Sequence, residues 1–187
     1  MITESALFPD VKRVAMAPLN DHRGWLLRLF DAEPFAAAGL PTTWAQQLAS
    51  FSARRHTLRG LHTQVAPLSE AKLLVPLMGH MWWVVVDVRR ASPTFGRWEG
   101  FDLIPGGGHG LFVPKGFAHG CLALADNTLL HIMTDSVFSP PHGVGIRWDD
   151  PELAIAWPLP AGAEVVMSAE HAAYPSFSSF RTGATTP

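Results

Sequence analysis

With 187 residues and a mass of 20.4 kDa, the chain can bury one full core and is cramped for two, so residues 1–187 are read as a single domain. Hydrophobic residues make up 48% and charged residues 16%, which excludes a disordered chain. No run of about 18 apolar residues offers a membrane span. The net charge of −2 has no basic stripe behind it, which argues against a nucleic-acid surface. One cysteine, Cys121, excludes an internal disulfide, and the first residues carry no basic-then-apolar leader, so a cytoplasmic setting is expected.

In chain order, the first apolar run is 25–30. A helix is expected over 33–38, where Asp31 can cap the start and Gly39 stops it. Runs at 72–77, 81–88, 100–103, 110–113, 120–124 and 128–134 recur about every ten residues with turn residues between them, the signature of a sandwich or barrel. The run 81–88 is apolar on both faces, as in a strand buried between two layers. Sixteen glycines and sixteen prolines leave little room for long helices. A helical turn is expected over 168–173, and the tail from Ser178 is expected to fray. Eleven of the 14 cations are arginine, which suits phosphate or carboxylate binding but also follows from a GC-rich genome.

Two histidines sit in ordered segments: His62 in LRGLHTQ (58–64) and His119 in PKGFAHG (114–120). The second segment resembles the second motif of the cupin superfamily, and His62, Gln64 and Glu70 resemble a defective first motif. A longer set runs in order: Asp21 to Gly24, Gln47, LRGLHTQ, Lys72, VVVDVRRASPTFGRW (84–98), the His119 segment, WDDP (148–151) and IAWP (155–158). Together these are similar to the dTDP-4-dehydrorhamnose 3,5-epimerase family. The resemblance implies an all-β fold, a double-stranded β-helix (cupin jelly roll) with short peripheral helices. It implies a homodimer, no cofactor and no metal. The implied reaction is removal of a proton beside the ketone of a nucleotide-linked 4-keto-6-deoxy sugar, followed by its return on the other face.

That chemistry needs a base near the carbon, a stabiliser for the enolate oxygen, an acid and cations for the pyrophosphate. By resemblance His62 is the base and Lys72 the enolate stabiliser. Arg23 and Arg59 grip pyrophosphate and sugar, Gln47 and His119 line the pocket, and Phe138 is a platform for the nucleotide base. The family's acid is a tyrosine on the strand after His119. An ungapped count puts Ile132 there, and a shift of one residue puts His131 there, the candidate able to carry a proton. The single tyrosine, Tyr174, lies outside that strand and is expected to be dispensable. The family's aspartate partner of the base falls on His171, beside Glu170. Trp83 replaces an aspartate, Ala49 an asparagine, and Leu26 and Arg28 replace the family's Phe and Glu.

The scaffold, base and cations therefore point to an isomerase, an epimerase acting at one carbon rather than two, with weak activity on the family's usual substrate. Two alternatives stand beside it. One is a cupin enzyme using His62 and Lys72 on a different ketone, for which Trp82 or Trp83 would favour an apolar ligand. The other is a metal-dependent cupin with His62, Glu70 and His119 as ligands.

Overall fold

The computed structural model describes residues 1–182. Its strands are β1 (Ile2–Glu4), β2 (Lys12–Ala15), β3 (Leu19–Asp21), β4 (Gly24–Leu26), β5 (Gln46–Ser52), β6 (Leu58–Gln64) and β7 (Lys72–Met78). They continue with β8 (Met81–Asp87), β9 (Trp98–Leu103), β10 (His109–Val113), β11 (Phe117–Ala123), β12 (Thr128–Thr134) and β13 (Gly143–Gly145). Three short α-helices and a 3-10 turn (Pro140–His142) complete the set among the described residues: α1 (Ala32–Ala37), α2 (Ala169–Ala172) and α3 (Phe177–Thr182).

A six-stranded sheet in the order β1-β2-β10-β7-β12-β5 packs on a five-stranded sheet in the order β13-β6-β11-β8-β9. All the strand pairs in both sheets are antiparallel. Neighbours far apart in sequence, such as β6 with β11 and β7 with β12, make this the jelly roll of cupins, in agreement with the fold expected from the motifs. No helix is long and apolar enough to cross a membrane among the described residues.

Three apolar layers follow from strand alternation. Met81, Trp83 and Val85 of β8 enter the core between the sheets, with Leu74, Phe101, Leu111 and Leu130. Trp82, Val84 and Val86 face outward, where Phe177 and Phe180 of α3 cover them. Hence β8 is apolar on both faces because both are covered. On the outer face of the six-stranded sheet, Leu73, Val75 and Met133 receive Phe35 of α1. That helix starts where the sequence indicates: the Asp31 side chain accepts the Glu33 N–H at 3.3 Å.

Other boundaries differ. Only residues 25–26 of the first apolar run are strand, because Leu27, Leu29 and Phe30 leave the hairpin to pack around α1. Strands β5 and β6 are absent from the sequence reading, since their polar residues face a cavity or solvent and break the apolar pattern. The expected tail begins inside α3, and its residues 183–187 lie outside the described residues.

Candidate active site

His62 on β6 and His119 on β11 are direct cross-strand partners, with ring centroids 4.6 Å apart. Arg59 pairs likewise with Cys121. Residues 59 and 62 would lie on opposite faces of a regular strand. A register irregularity between them turns both inward. Gly60 makes this possible: its φ is +101°, and an added Cβ would meet the His119 carbonyl oxygen at 2.5 Å. The glycine of LRGLH is therefore a device for aiming an arginine and a histidine at one place.

Two adjoining cavities share His62, Lys72 and Leu48. The inner one also contains Arg59, Trp83, His119 and Ile132. The outer one adds Gln46, Glu70, Phe138, Glu170, His171 and Tyr174. Volumes of about 330 and 420 Å³ give room for a ligand with more than one ring. A separate groove lined by Met16, Trp25, Leu27 and Ile104 is mainly apolar and lies apart from these groups.

Lys72 starts β7 and forms a 2.6 Å ion pair with Glu70, both side chains being nearly buried. The carboxylate aims the ammonium. Burial, followed by the nearby Lys72, His171 and Arg59, pushes the His62 pKa down to about 3. His62 is thus unprotonated at neutral pH, the state a base requires. Burial and the adjacent His62 and Lys72 also hold His119 well below its ordinary value. Trp83 lies flat on His119 at 5.3 Å, and its buried indole Nε1 has no partner among the described residues.

His62, Lys72, Arg59, His119 and Phe138 are brought together; Gln47, His131 and Arg23 are not. His131 bonds Gln47 at 3.2 Å (Nε2 to Oε1). Strand alternation puts both on the face away from His62, while Ile132 and its cross-strand partner Leu48 face the cavity. The ungapped count, Ile132, is therefore the one the geometry follows, and His131 is not placed to act as the acid. Gln46 takes the inward position expected for Gln47. Arg23 is on the exposed β3–β4 hairpin, paired with Asp21 at 2.6 Å. The metal-dependent alternative fails on geometry: among the described residues no three His, Cys, Asp or Glu side chains are grouped as ligands, and Glu70 is committed to Lys72.

The C-terminal segment also reaches the cavity. His171 lies beside His62, with ring centroids 5.6 Å apart, and its Nδ1 accepts the Gly60 N–H at 3.2 Å. That bond leaves the proton of the neutral ring on Nε2. Tyr174 also lines the cavity, with its hydroxyl 3.4 Å from Glu170 Oε1. No spacing in the sequence signals that pairing, because Tyr174 lies beyond the end of α2.

A jelly roll with a neutral histidine and a lysine lining one open cavity defines a cupin suited to carbon-acid chemistry. The sequence pattern of the dTDP-4-dehydrorhamnose 3,5-epimerase family matches residues 5–179, and the chain belongs to that family. A dTDP-4-dehydrorhamnose 3,5-epimerase from Sinorhizobium fredii is 35% identical over 158 residues, covering 84% of this chain and 81% of the relative. The solved dTDP-6-deoxy-D-glucose-3,5-epimerase of Legionella pneumophila, in complex with dTDP-4-keto-L-rhamnose, superposes with a TM-score of 0.90 at 30% identity, covering 99% of this chain and 96% of the other. A 3'-monoepimerase from Streptomyces bikiniensis, in complex with dTDP-quinovose, gives a TM-score of 0.88 at 30% identity, with coverages of 98% and 91%.

Proposed function

We propose that this protein is an isomerase that removes the proton beside the ketone of a dTDP-linked 4-keto-6-deoxy sugar and returns it with inversion at one carbon. The observation that carries this reading is the neutral His62 sharing a cavity with the Lys72 ammonium. His62 takes the carbon proton, and Lys72 stabilises the charge that develops on the ketone oxygen. Arg59, in the inner cavity, suits the pyrophosphate, and the exposed Phe138 at the rim suits the base. Inversion is assigned to one carbon because the wall carrying the family's acid is hydrocarbon here, Ile132 and Leu48. The same wall, with Trp83, favours a second reading in which the ketone belongs to a more apolar molecule.

The working unit is proposed to be a homodimer in a cytoplasmic setting. Leu19, Trp25 and Leu26 of the β3–β4 hairpin are each more than 60% exposed. Strand β5 is a sheet edge carrying exposed Leu48 and Phe51. A second copy would cover these groups, and Arg23 would then serve the partner's cavity.

The test is incubation with dTDP-4-keto-6-deoxyglucose in D2O, read by mass spectrometry. Deuterium uptake is expected in the sugar and is expected to disappear in His62→Ala. No uptake by the unsubstituted protein, or undiminished uptake by His62→Ala, overturns the reading.

A further inference from the structure

We propose that this site has a second activity on the same sugar nucleotide: it moves the ketone from C4 to C3, with His62 both taking the C3 proton and giving it to C4. The inference rests on the isomerase reading above and goes beyond it, because the product is a different ketone rather than an epimer. It is carried by the one-sidedness of the cavity. His62 and His119 are cross-strand partners on the five-stranded sheet, and Gly145 of β13 pairs with His62 from the other side. Gly145 has no side chain, and the Tyr174 ring fills that space, so that a Cβ there would overlap its Cγ, Cδ1 and Cε1 atoms. His171 packs on the same wall, with its ring centroid 5.6 Å from that of His62. The groups suited to exchange a proton with carbon therefore stand beside the base. The facing six-stranded sheet presents Leu48 and Ile132, and among the described residues the titratable group it turns to the cavity is Lys72.

A sugar ring held between these walls offers its two faces to different chemistry. Inversion needs a proton on the face turned to Leu48 and Ile132, and water has to bring it. Return from His62 needs nothing further, because the imidazolium still faces the carbon that lost the proton. Burial, which pushes the His62 pKa down to about 3, also makes that imidazolium a strong acid and favours return to carbon. Bonded carbons are about 1.5 Å apart, so one imidazole reaches C3 and C4 alike. C3 of 4-keto-6-deoxyglucose carries a hydroxyl, so the intermediate is an enediol in which either carbon can become the ketone.

The steps balance. The C3–H bond breaks, His62 takes the proton, and the electron pair forms the C3–C4 double bond as charge passes to the C4 oxygen. Lys72, held by Glu70 at 2.6 Å, gives that oxygen a proton and takes the proton of the C3 hydroxyl, which restores the ammonium. The C3 carbonyl forms as the electron pair of the double bond takes the His62 proton at C4. The new C4–H bond lies on the face that lost the C3 proton. One C–H and one O–H bond are broken and one of each is made, with no oxidant, reductant or further reactant.

The position of the ketone is read by incubating the protein with dTDP-4-keto-6-deoxyglucose in water and quenching with sodium borodeuteride. Reduction places deuterium on whichever carbon held the ketone, and mass spectrometry of the released alditol locates it. Deuterium at C3 is expected with the unsubstituted protein. Its rate of appearance should fall by about 10²-fold or more in His62→Ala, the scale of a lost general base. Ile132→Tyr places a phenol on the facing wall and is expected to lower the C3 label while inverted product rises. Deuterium confined to C4 in the unsubstituted protein, or C3 label undiminished in His62→Ala, overturns the proposal. When deuterium is confined to C4, uptake from D2O judges the isomerase reading separately: uptake leaves that reading standing, and no uptake overturns both.

Discussion

His62 is a base whose neighbour does not help it. A carboxylate beside an imidazole stabilises the protonated ring, whereas the neutral His171 does not. His171→Asp should therefore raise the His62 pKa from about 3 toward or above the ordinary value of 6.5. At pH 7.5 a stronger base should speed deuterium uptake by about 10-fold or more. The sign with pH is also set. In the unsubstituted protein His62 stays unprotonated down to about 3, so its titration puts no falling limb between about pH 5 and 7. In His171→Asp the rate should fall as pH drops through the raised pKa. A variant with a flat profile and unchanged rate would show that His171 does not govern the base. At this scale the sequence order shows which residues belong to the site, but a strand presents them only in phase. One residue of slip separates Gln46 from Gln47 and Ile132 from His131, and within each pair only the first faces His62. Tyr174 was unreadable as a site residue for a different cause: its place is set by a void over Gly145 on a distant strand.

Among the elements, the stretch from β8 to β9 explains a motif that the site does not use. Asp87 is fully buried at the end of β8. Its carboxylate accepts the Arg89 N–H at 3.0 Å, Arg89 Nη2 at 2.8 Å and the Thr94 hydroxyl at 2.6 Å. Burial raises its pKa, but these bonds, with that from Ser92, outweigh the rise and hold it at about 2. The Arg89 guanidinium also lies 4.5 Å over the Phe117 ring, which locks the loop to β11. The VVVDVRRASPTFGRW signature is thus a structural clasp. Asp87→Ala should cost about 3 kcal/mol in urea unfolding, the usual result of orphaning a buried charge network. Deuterium uptake per folded molecule should be unchanged, because Asp87 touches neither cavity. A loss below about 0.5 kcal/mol would remove the clasp from the account of stability. Strands with covered apolar faces, β7, β8, β10 and β12, were legible from composition. Strands β5 and β6 were not, because their inward residues are a ligand's surroundings rather than core.

For the whole molecule, an exposed apolar hairpin and a bare sheet edge are costly unless a second copy covers them. Light scattering should give a mass twice the 20.4 kDa of one chain. Trp25→Glu should raise the dimer dissociation constant by about 30-fold or more, as expected for a buried aromatic anchor. A monomer at every working concentration would sink the dimer. The sequence carried the architecture well, since paired motifs in order fix a topology. It carried the placement of Arg23 poorly, since Arg23 matches its motif yet stands outside the cavity of its own chain.

The space shared by Gly145 and Tyr174 also constrains how this chain can change. The two positions are epistatic, and the order of substitution matters. A residue larger than glycine at 145 collides with the ring while Tyr174 is present, but meets open space once position 174 has become small. The converse also holds: the Tyr174 ring fits only on a background that lacks a side chain at 145.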